Sequence, residues 1–228
     1  MDRRKFIITG GLSALALGVA SPVLAQFGLP KIPGLTGGGG GGGGWGPIAK
    51  GFKAGMTILA KQSRVIALAI ADLADSIDMR DEAAKLRTEA NKIEGKATLS
   101  SDEIDGIAEI TARTVEAASK KIKSSGKLTD QQKAKMAEAA SKYAPALAKG
   151  ALGVVKIAMA VSKAGSAGTP GISDGMDVIS LAKDIPTLAP KAVSFIGNAI
   201  TGGNQFMEAM REKGIETPES VEMPEMKI

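Results

Sequence analysis

The chain has 228 residues, a formal net charge of +5, and neither cysteine nor histidine. A zinc site of the ordinary type, a Ser-His-Asp triad, a cysteine nucleophile and covalently attached c-type haem are therefore excluded, because each needs one of these two side chains. Aromatic residues, at 3% of the chain, are too few to indicate a nucleic-acid-binding surface.

The hydrophobic residues, 44% of the chain, are mostly aliphatic. Ala, Leu and Met favour helix strongly, and the alternating pattern typical of strands is missing from the sequence. We therefore expect an all-α protein, a helical bundle with a long first helix behind a disordered Gly-rich linker. No bound cofactor or metal ion is expected.

Residues 1–25 have the layout of an export signal. Arg3, Arg4 and Lys5 form a positive region, an apolar run begins at Phe6, and Ala25 is a small residue suited to the position before a cut. The apolar run is shorter than the roughly 20 residues that a transmembrane helix needs. We expect cleavage near Ala25 and a periplasmic or secreted bacterial protein.

The segment Arg3-Arg4-Lys5-Phe6-Ile7 resembles the twin-arginine class of export signals, in which paired arginines precede a variable residue, Phe and an aliphatic residue. Asp2 stands where that class has Ser or Thr. The resemblance implies export of an already folded protein across the bacterial inner membrane. A general secretory signal and an uncleaved N-terminal anchor are the alternatives.

Residues 26–46 are interpreted as a flexible linker. They include Pro30, Pro33 and an unbroken glycine run from Gly37 to Gly44, which has too much backbone entropy to lose to form a packed element. The only tryptophan, Trp45, lies at the end of this linker. We expect it to pack the first helix onto the core, with a membrane-interface anchor as the alternative.

The first helix is predicted from Pro47 to about Ile77, with a heptad-like apolar stripe that requires partner helices. Its charges run against the helix dipole, with basic residues in the first half and acidic residues in the second. Either tertiary contacts compensate for this order, or the basic end meets an acidic surface. The possible interaction surface consists of Trp45, Lys50, Phe52, Lys53, Lys61 and Arg64.

Further helices are predicted along residues 47–213. A polar helix spans about 81–94, and another begins at Ser100 or Ser101 and ends before Gly126. The next begins at the capping box of Thr129 and Gln132, and Pro145 is expected to kink or split it. After a turn at 165–175, three shorter segments are predicted at 176–183, 188–200 and 205–213. Residues 214–228 are expected to be a disordered acidic tail.

Several charged residues are candidate catalytic or metal sites. Asp72, Asp75 and Asp78 are interpreted as solvated surface rather than as a general acid–base pair. Asp174 and Asp177 lack the ligand spacing of an EF-hand. Lys156, inside an apolar run, is interpreted as a lysine at the edge of a core helix rather than as a nucleophile. We therefore expect no catalytic residue.

The preferred function is that of an exported, non-catalytic protein that acts through a protein partner, through self-association or on an anionic lipid surface. Without residues 1–25, 26 basic and 23 acidic residues remain, a net charge of +3 that allows weak attraction to such a surface. The first alternative is a membrane-active or pore-forming protein that uses apolar segments within 150–200. The second is a hydrolase or lyase that depends on carboxylates.

Overall fold

The computed structural model describes residues 44–222 and contains five α-helices in this range. They are α1 (Trp45–Ser76), α2 (Arg80–Lys92), α3 (Ser101–Ser124), α4 (Asp130–Ala167) and α5 (Met176–Glu212), with a 3-10 turn at Ile172–Asp174 before α5. Residues 44–222 contain no strand, so the prediction of an all-α bundle with a long first helix is confirmed. The export signal, and the linker up to residue 43, lie outside the described residues.

The two long apolar helices α1 and α4 pack against each other in antiparallel orientation. Gly55 faces Gly153 near the middle of the pair, and Trp45 at the start of α1 donates a hydrogen bond from Nε1 to the carbonyl of Gly168, just after α4 (3.0 Å). A Cβ atom at Gly55 would lie 2.7 Å from Cγ1 of Ile157 and 2.8 Å from the carbonyl oxygen of Gly153. The helices therefore approach closely because small residues face each other.

The core lies on one side of this pair, where α3 and α5 pack on it and α2 covers the second half of α1. Tyr143 of α4 is fully buried and donates its hydroxyl hydrogen to the carbonyl of Ala199 in α5 (2.7 Å). Burial raises the pKa of Tyr143, because the phenolate would lose its hydration. Gly203 makes room for the Tyr143 ring, so α4 and α5 are also positioned by a glycine.

Two helices begin with capping boxes. Ser100 caps α3, and its backbone N–H donates to the carboxylate of Glu103 (2.8 Å), while Thr129 and Gln132 form the equivalent pair at α4 (3.0 Å). Both satisfy backbone N–H groups that a helix start leaves unpaired. They explain why the starts of α3 and α4 agree with the sequence-based bounds.

The prolines do not divide the helices as expected. Helix α4 continues through Pro145, so the expected split does not occur, and α5 is one helix through Pro186 and Pro190 where three segments were predicted. An internal proline costs about 3 kcal/mol or more. Pro145 and Pro186 are exposed, so water can solvate the carbonyl groups they leave free. Both neighbours of Pro145 are buried in the core, as is Ile185 before Pro186. Packing of those residues outweighs the local cost.

Residues 214–222 have no regular secondary structure but are held against α5. Ile215 is buried, and the side-chain amide of Asn204 accepts from the backbone N–H of Val221 (3.1 Å) and donates to its carbonyl (2.9 Å). The prediction of a disordered tail is therefore wrong for this part, because one apolar residue and one paired amide fix the chain. Residues 223–228 lie outside the described range.

The close approach of α1 and α4 predicts opposite effects of alanine at neighbouring glycines. Gly55→Ala is expected to destabilise the protein by about 1–3 kcal/mol, because the new methyl overlaps Ile157 and the backbone of Gly153. Gly51→Ala is the matched control, since its Cβ would make only an ordinary contact with Ala160 (3.9 Å). The control should gain up to about 1 kcal/mol from helix propensity. Urea unfolding measures the stability of both variants. Equal effects at the two positions would contradict the close contact between α1 and α4 at Gly55.

The capping box of α3 predicts a pH-dependent contribution from Glu103. The ammonium group of Lys96 and the backbone N–H of Ser100 lower the pKa of Glu103 below its ordinary value of 4.5. The stabilisation is therefore present at neutral pH and is lost as the pH falls through this lowered pKa. Wild type should exceed Glu103→Gln in unfolding free energy by less than about 1 kcal/mol at pH 7. This difference should vanish on acidification; a difference independent of pH would show that the charge is not responsible.

Candidate functional site

The exposed sides of α1 and α4 lie together on the outer side of the helix pair, away from the core. In each helix, the core residues lie about 100° around the axis on one side of the partner-facing residues. The exposed residues lie at a similar angle on the opposite side. Because the helices are antiparallel, both exposed stripes lie on the same side. The name lysine face is used here for the exposed lysines of α1 together with those of α4 from residue 149 onward: Lys50, Lys53, Lys61, Lys149, Lys156 and Lys163.

The lysines of α4 recur every seven residues. Lys135 and Lys142 precede Lys149, Lys156 and Lys163 at this spacing. Seven residues span about 10.5 Å of helix and turn back by only about 20°, so the five side chains form one row. Two large apolar side chains lie beside this row, Leu152 and Met159, each 55% exposed.

The lysine face has no acidic residue near it in sequence. Neither 45–71 nor 139–167 contains Asp or Glu. Within the described part of the chain, no carboxylate forms an ion pair with any of its six lysines. The carbonyl end of α4 lies beside the start of α1, but a helix terminus carries only about half a charge. The positive charge of this face is therefore largely uncompensated within the bundle.

The acidic end of α1 is compensated. Arg87 of α2 forms ion pairs with Asp72 (3.1 Å) and Asp75 (2.6 Å), and Lys142 pairs with Glu138 (2.8 Å) and with Asp72 (3.7 Å). Hydrogen bonding to Glu138 raises the pKa of Lys142 and lowers that of Glu138. Partial burial acts to lower the pKa of Arg87, but its bonds to Asp75 and Asp72 raise it overall. Tertiary contacts thus compensate for the unfavourable charge order at one end of α1 only.

The arrangement of the carboxylates does not favour catalysis. Asp72 and Asp75 are half-exposed and ion-paired, and Asp78 is exposed beyond the end of α1, with its backbone at φ 59°. A general acid needs a desolvated carboxyl group, which none of these three provides. Asp174 accepts a hydrogen bond from the backbone N–H of Gly171 (2.8 Å). Among residues 44–222, no three potential metal ligands converge.

Two residues of the predicted interaction surface are not on the surface. Trp45 is 3% exposed and Phe52 is 1% exposed, and both belong to the core. They are buried because they lie on the α1 stripe that contacts the other helices. The preferred interpretation of Trp45 as a residue that packs the first helix onto the core agrees with this position. Arg64 forms an ion pair with Glu94 in the connection between α2 and α3 (2.6 Å), so it contacts that connection rather than the outer side.

The sequence pattern predicts the α1 half of the lysine face but not the α4 half. The predicted interaction surface contains Lys50, Lys53 and Lys61. Lys156 is interpreted on its own in the sequence, and Lys149 and Lys163 have no predicted role. The seven-residue spacing of the α4 lysines was the signal that identifies them as one row. The lysines of α1 and α4 form one surface only because the two helices pack in antiparallel orientation. This packing cannot be inferred from the sequence pattern.

The bundle also has open grooves. The largest of those described, about 480 Å³, lies between the α2–α3 connection, α1 and α5, and its apolar lining includes Phe52, Met56 and Leu188. A smaller groove of about 220 Å³ lies between α3 and α5 beside Thr111 and Phe195. The larger groove is also lined by Lys96 and Glu103, whose side chains are 44% and 21% exposed and form an ion pair, so its acid and base are solvated and bound to each other. The lysine face is therefore the candidate functional site.

No protein-family model matches the chain, and neither a curated protein nor a solved structure matches it.

The different pairing of the α4 lysines predicts different effects on stability. Lys142→Gln removes bonds to Glu138 and Asp72 and should lower the Tm by about 1–2 °C at low salt. Lys149→Gln is the matched change one heptad later and should leave the Tm unchanged or raise it, because it relieves repulsion between like charges. Thermal unfolding followed by circular dichroism measures both. A loss at Lys149 as large as at Lys142 would mean that the lysine face serves stability.

Proposed function

We propose that the protein is an exported, non-catalytic interaction protein that binds a negatively charged surface through its lysine face. The observation that carries the proposal is the separation of charge along α1 and α4. The acidic end of this pair is neutralised by Arg87 and Lys142, whereas the six lysines have no carboxylate partner among residues 44–222. Like charges gathered on one side repel one another in the folded state, and a bound anionic surface offsets this repulsion.

The expected strength of this binding follows from the number of lysines. A lysine near an anionic membrane surface contributes about 1 kcal/mol, and the attraction falls off within a Debye length of about 8 Å at physiological salt. Three or more lysines acting together therefore give binding that is measurable at low salt and weak at high salt. The proposal does not require a pocket, because the attraction is spread over the length of α4.

Export is part of the proposal and is supported by the sequence of residues 1–25, with the twin-arginine route as the preferred one. The helical domain follows that segment after a glycine-rich stretch. An exported protein meets the anionic lipids and polymers of the cell envelope. The lysine face would therefore find ligands of the required charge where export delivers it.

The packing supports a role on a surface rather than a span across a membrane. By length and composition, α1 and α4 are each apolar enough to cross a bilayer, but 61% of the relevant window is buried within the bundle in both, as in the core helices of globular proteins. In α4, Lys149, Lys156 and Lys163 recur about every 10.5 Å. A lysine at the bilayer centre costs about 2.5–3.5 kcal/mol, so this row is unsuited to a hydrocarbon interior.

The proposal predicts that binding depends on where lysines are removed, not only on how many. The triple variant Lys149→Gln, Lys156→Gln and Lys163→Gln should bind immobilised poly-L-glutamate at least about tenfold more weakly than wild type at low salt. The matched control changes the same number of exposed lysines elsewhere, as Lys85→Gln, Lys123→Gln and Lys127→Gln. It should bind within about twofold of wild type.

The measurement is a binding isotherm at several salt concentrations, with circular dichroism to confirm that each variant is folded. Wild-type binding should weaken steeply as salt rises, and the lysine-face variant should show a smaller salt dependence. Equal losses in the two triple variants would mean that net charge alone attracts the polymer, and the assignment to this face would then be wrong. No binding of wild type to any anionic probe would remove the proposed function.

A further inference from the structure

We infer that the negatively charged surface is an anionic lipid bilayer, and that the α1–α4 pair lies flat on it with Leu152 and Met159 inserted between the headgroups. This inference rests on the proposed function and adds the chemical class of the partner and the orientation of the bundle. It follows from three features of the lysine face: its periodicity, its apolar side chains and its shape.

The even spacing of the α4 lysines suits a continuous array of charge. Lys149, Lys156 and Lys163 are about 10.5 Å apart along the axis and form one row. An acidic protein would need carboxylates at a matching repeat to pair with each of them. A bilayer that contains anionic lipids offers phosphate groups at every position along the row, so no register has to be matched.

The apolar side chains distinguish a bilayer from a purely ionic partner. Leu152 lies three residues after Lys149, and Met159 lies three residues after Lys156, so apolar and charged side chains alternate along the outer side of α4. Both apolar side chains are 55% exposed. At a bilayer surface, lysine stems reach outward with their ammonium groups among the phosphates while neighbouring apolar groups enter the acyl boundary. An acidic polymer offers no apolar environment in which Leu152 and Met159 could be buried.

The shape of the lysine face agrees with a flat orientation. Two antiparallel helices expose their outer sides in the same direction, and the row from Lys149 to Lys163 extends over about 21 Å. Their other sides are buried against α3 and α5, so the bundle does not have to open for these lysines to reach a surface. The bundle can therefore bind without unfolding.

The experiment compares two probes with three variants in the full chain, whose N-terminal segment is common to all of them. The probes are phosphatidylcholine vesicles with about one-third phosphatidylglycerol and soluble poly-L-glutamate, with pure phosphatidylcholine vesicles as the uncharged reference. The first variant is the lysine-face triple change to Gln. The second is Leu152→Gln with Met159→Gln. The third is Ile172→Gln with Met176→Gln, which removes the other two large exposed apolar side chains of residues 44–222.

The inference predicts a distinct result for each variant. The lysine-face variant should bind both anionic probes at least about tenfold more weakly. Leu152→Gln with Met159→Gln should weaken binding to the anionic vesicles by roughly tenfold and leave poly-L-glutamate binding unchanged, because only the bilayer takes up apolar groups. Ile172→Gln with Met176→Gln should leave both unchanged, since these residues precede or begin α5 and are not on the lysine face.

A depth measurement tests the orientation directly. The chain has no cysteine, so Leu152→Cys and Ala112→Cys can each carry one environment-sensitive fluorophore. The Leu152 label should shift to shorter wavelength on anionic vesicles, whereas the Ala112 label, on the exposed side of α3, should not. Equal shifts at both positions would overturn the flat orientation.

The remaining outcomes separate this inference from the proposed function. Binding of poly-L-glutamate through the lysine face, without binding of anionic vesicles, would overturn the bilayer and leave the proposed function in place, with an acidic protein or polymer as the partner. A loss of vesicle binding in the Ile172 and Met176 variant alone would place the contact at the α4–α5 connection and overturn the inference. Binding of neither probe would overturn both.

Discussion

Around Gly55 and Gly153, the backbones of α1 and α4 come close enough that one additional methyl group would overlap both a side chain and a carbonyl. This contact fixes the rotation of each helix about its own axis. Once the glycine-bearing stripes face each other, the large aliphatic residues must face α3 and α5, and the lysines must face outward. The position of the candidate site is therefore a consequence of where the small residues lie.

The distribution of charge follows from the same packing. At one end of the α1–α4 pair, Asp72 and Asp75 meet Arg87 because α2 folds back along the second half of α1. At the other end, the charged side chains of α1 and α4 are lysines. No carboxylate of the 3-10 turn or of the start of α5 forms an ion pair with them. The bundle thus has one end whose charges are neutralised internally and one side whose charges face outward, although the whole chain carries only a modest net charge.

The sequence predicted the fold class, the bounds of α1 to α3, and the start of α4, because aliphatic periodicity and capping boxes are local signals. The sequence-based predictions were wrong where a local signal competed with packing between residues distant in sequence. Prolines inside a helix break it in isolation, yet the residue before each of Pro145, Pro186 and Pro190 is buried in the core. The tail was misjudged because the pairing of Asn204 with Val221 joins residues 17 positions apart. Half of the candidate site was found from the charge order of α1; the other half depends on which face of α4 is exposed, and that is decided by α1 and α5.

The single tryptophan has a consequence for how this protein is observed. The indole of Trp45 lies at one junction, bonded to the backbone of Gly168, and no other tryptophan contributes to the emission. Its fluorescence therefore reports the separation of that junction rather than the melting of the whole bundle. If this end of the molecule unfolds before the centre, tryptophan emission and ellipticity will change at different denaturant concentrations. The emission alone will then understate the stability of the rest of the bundle.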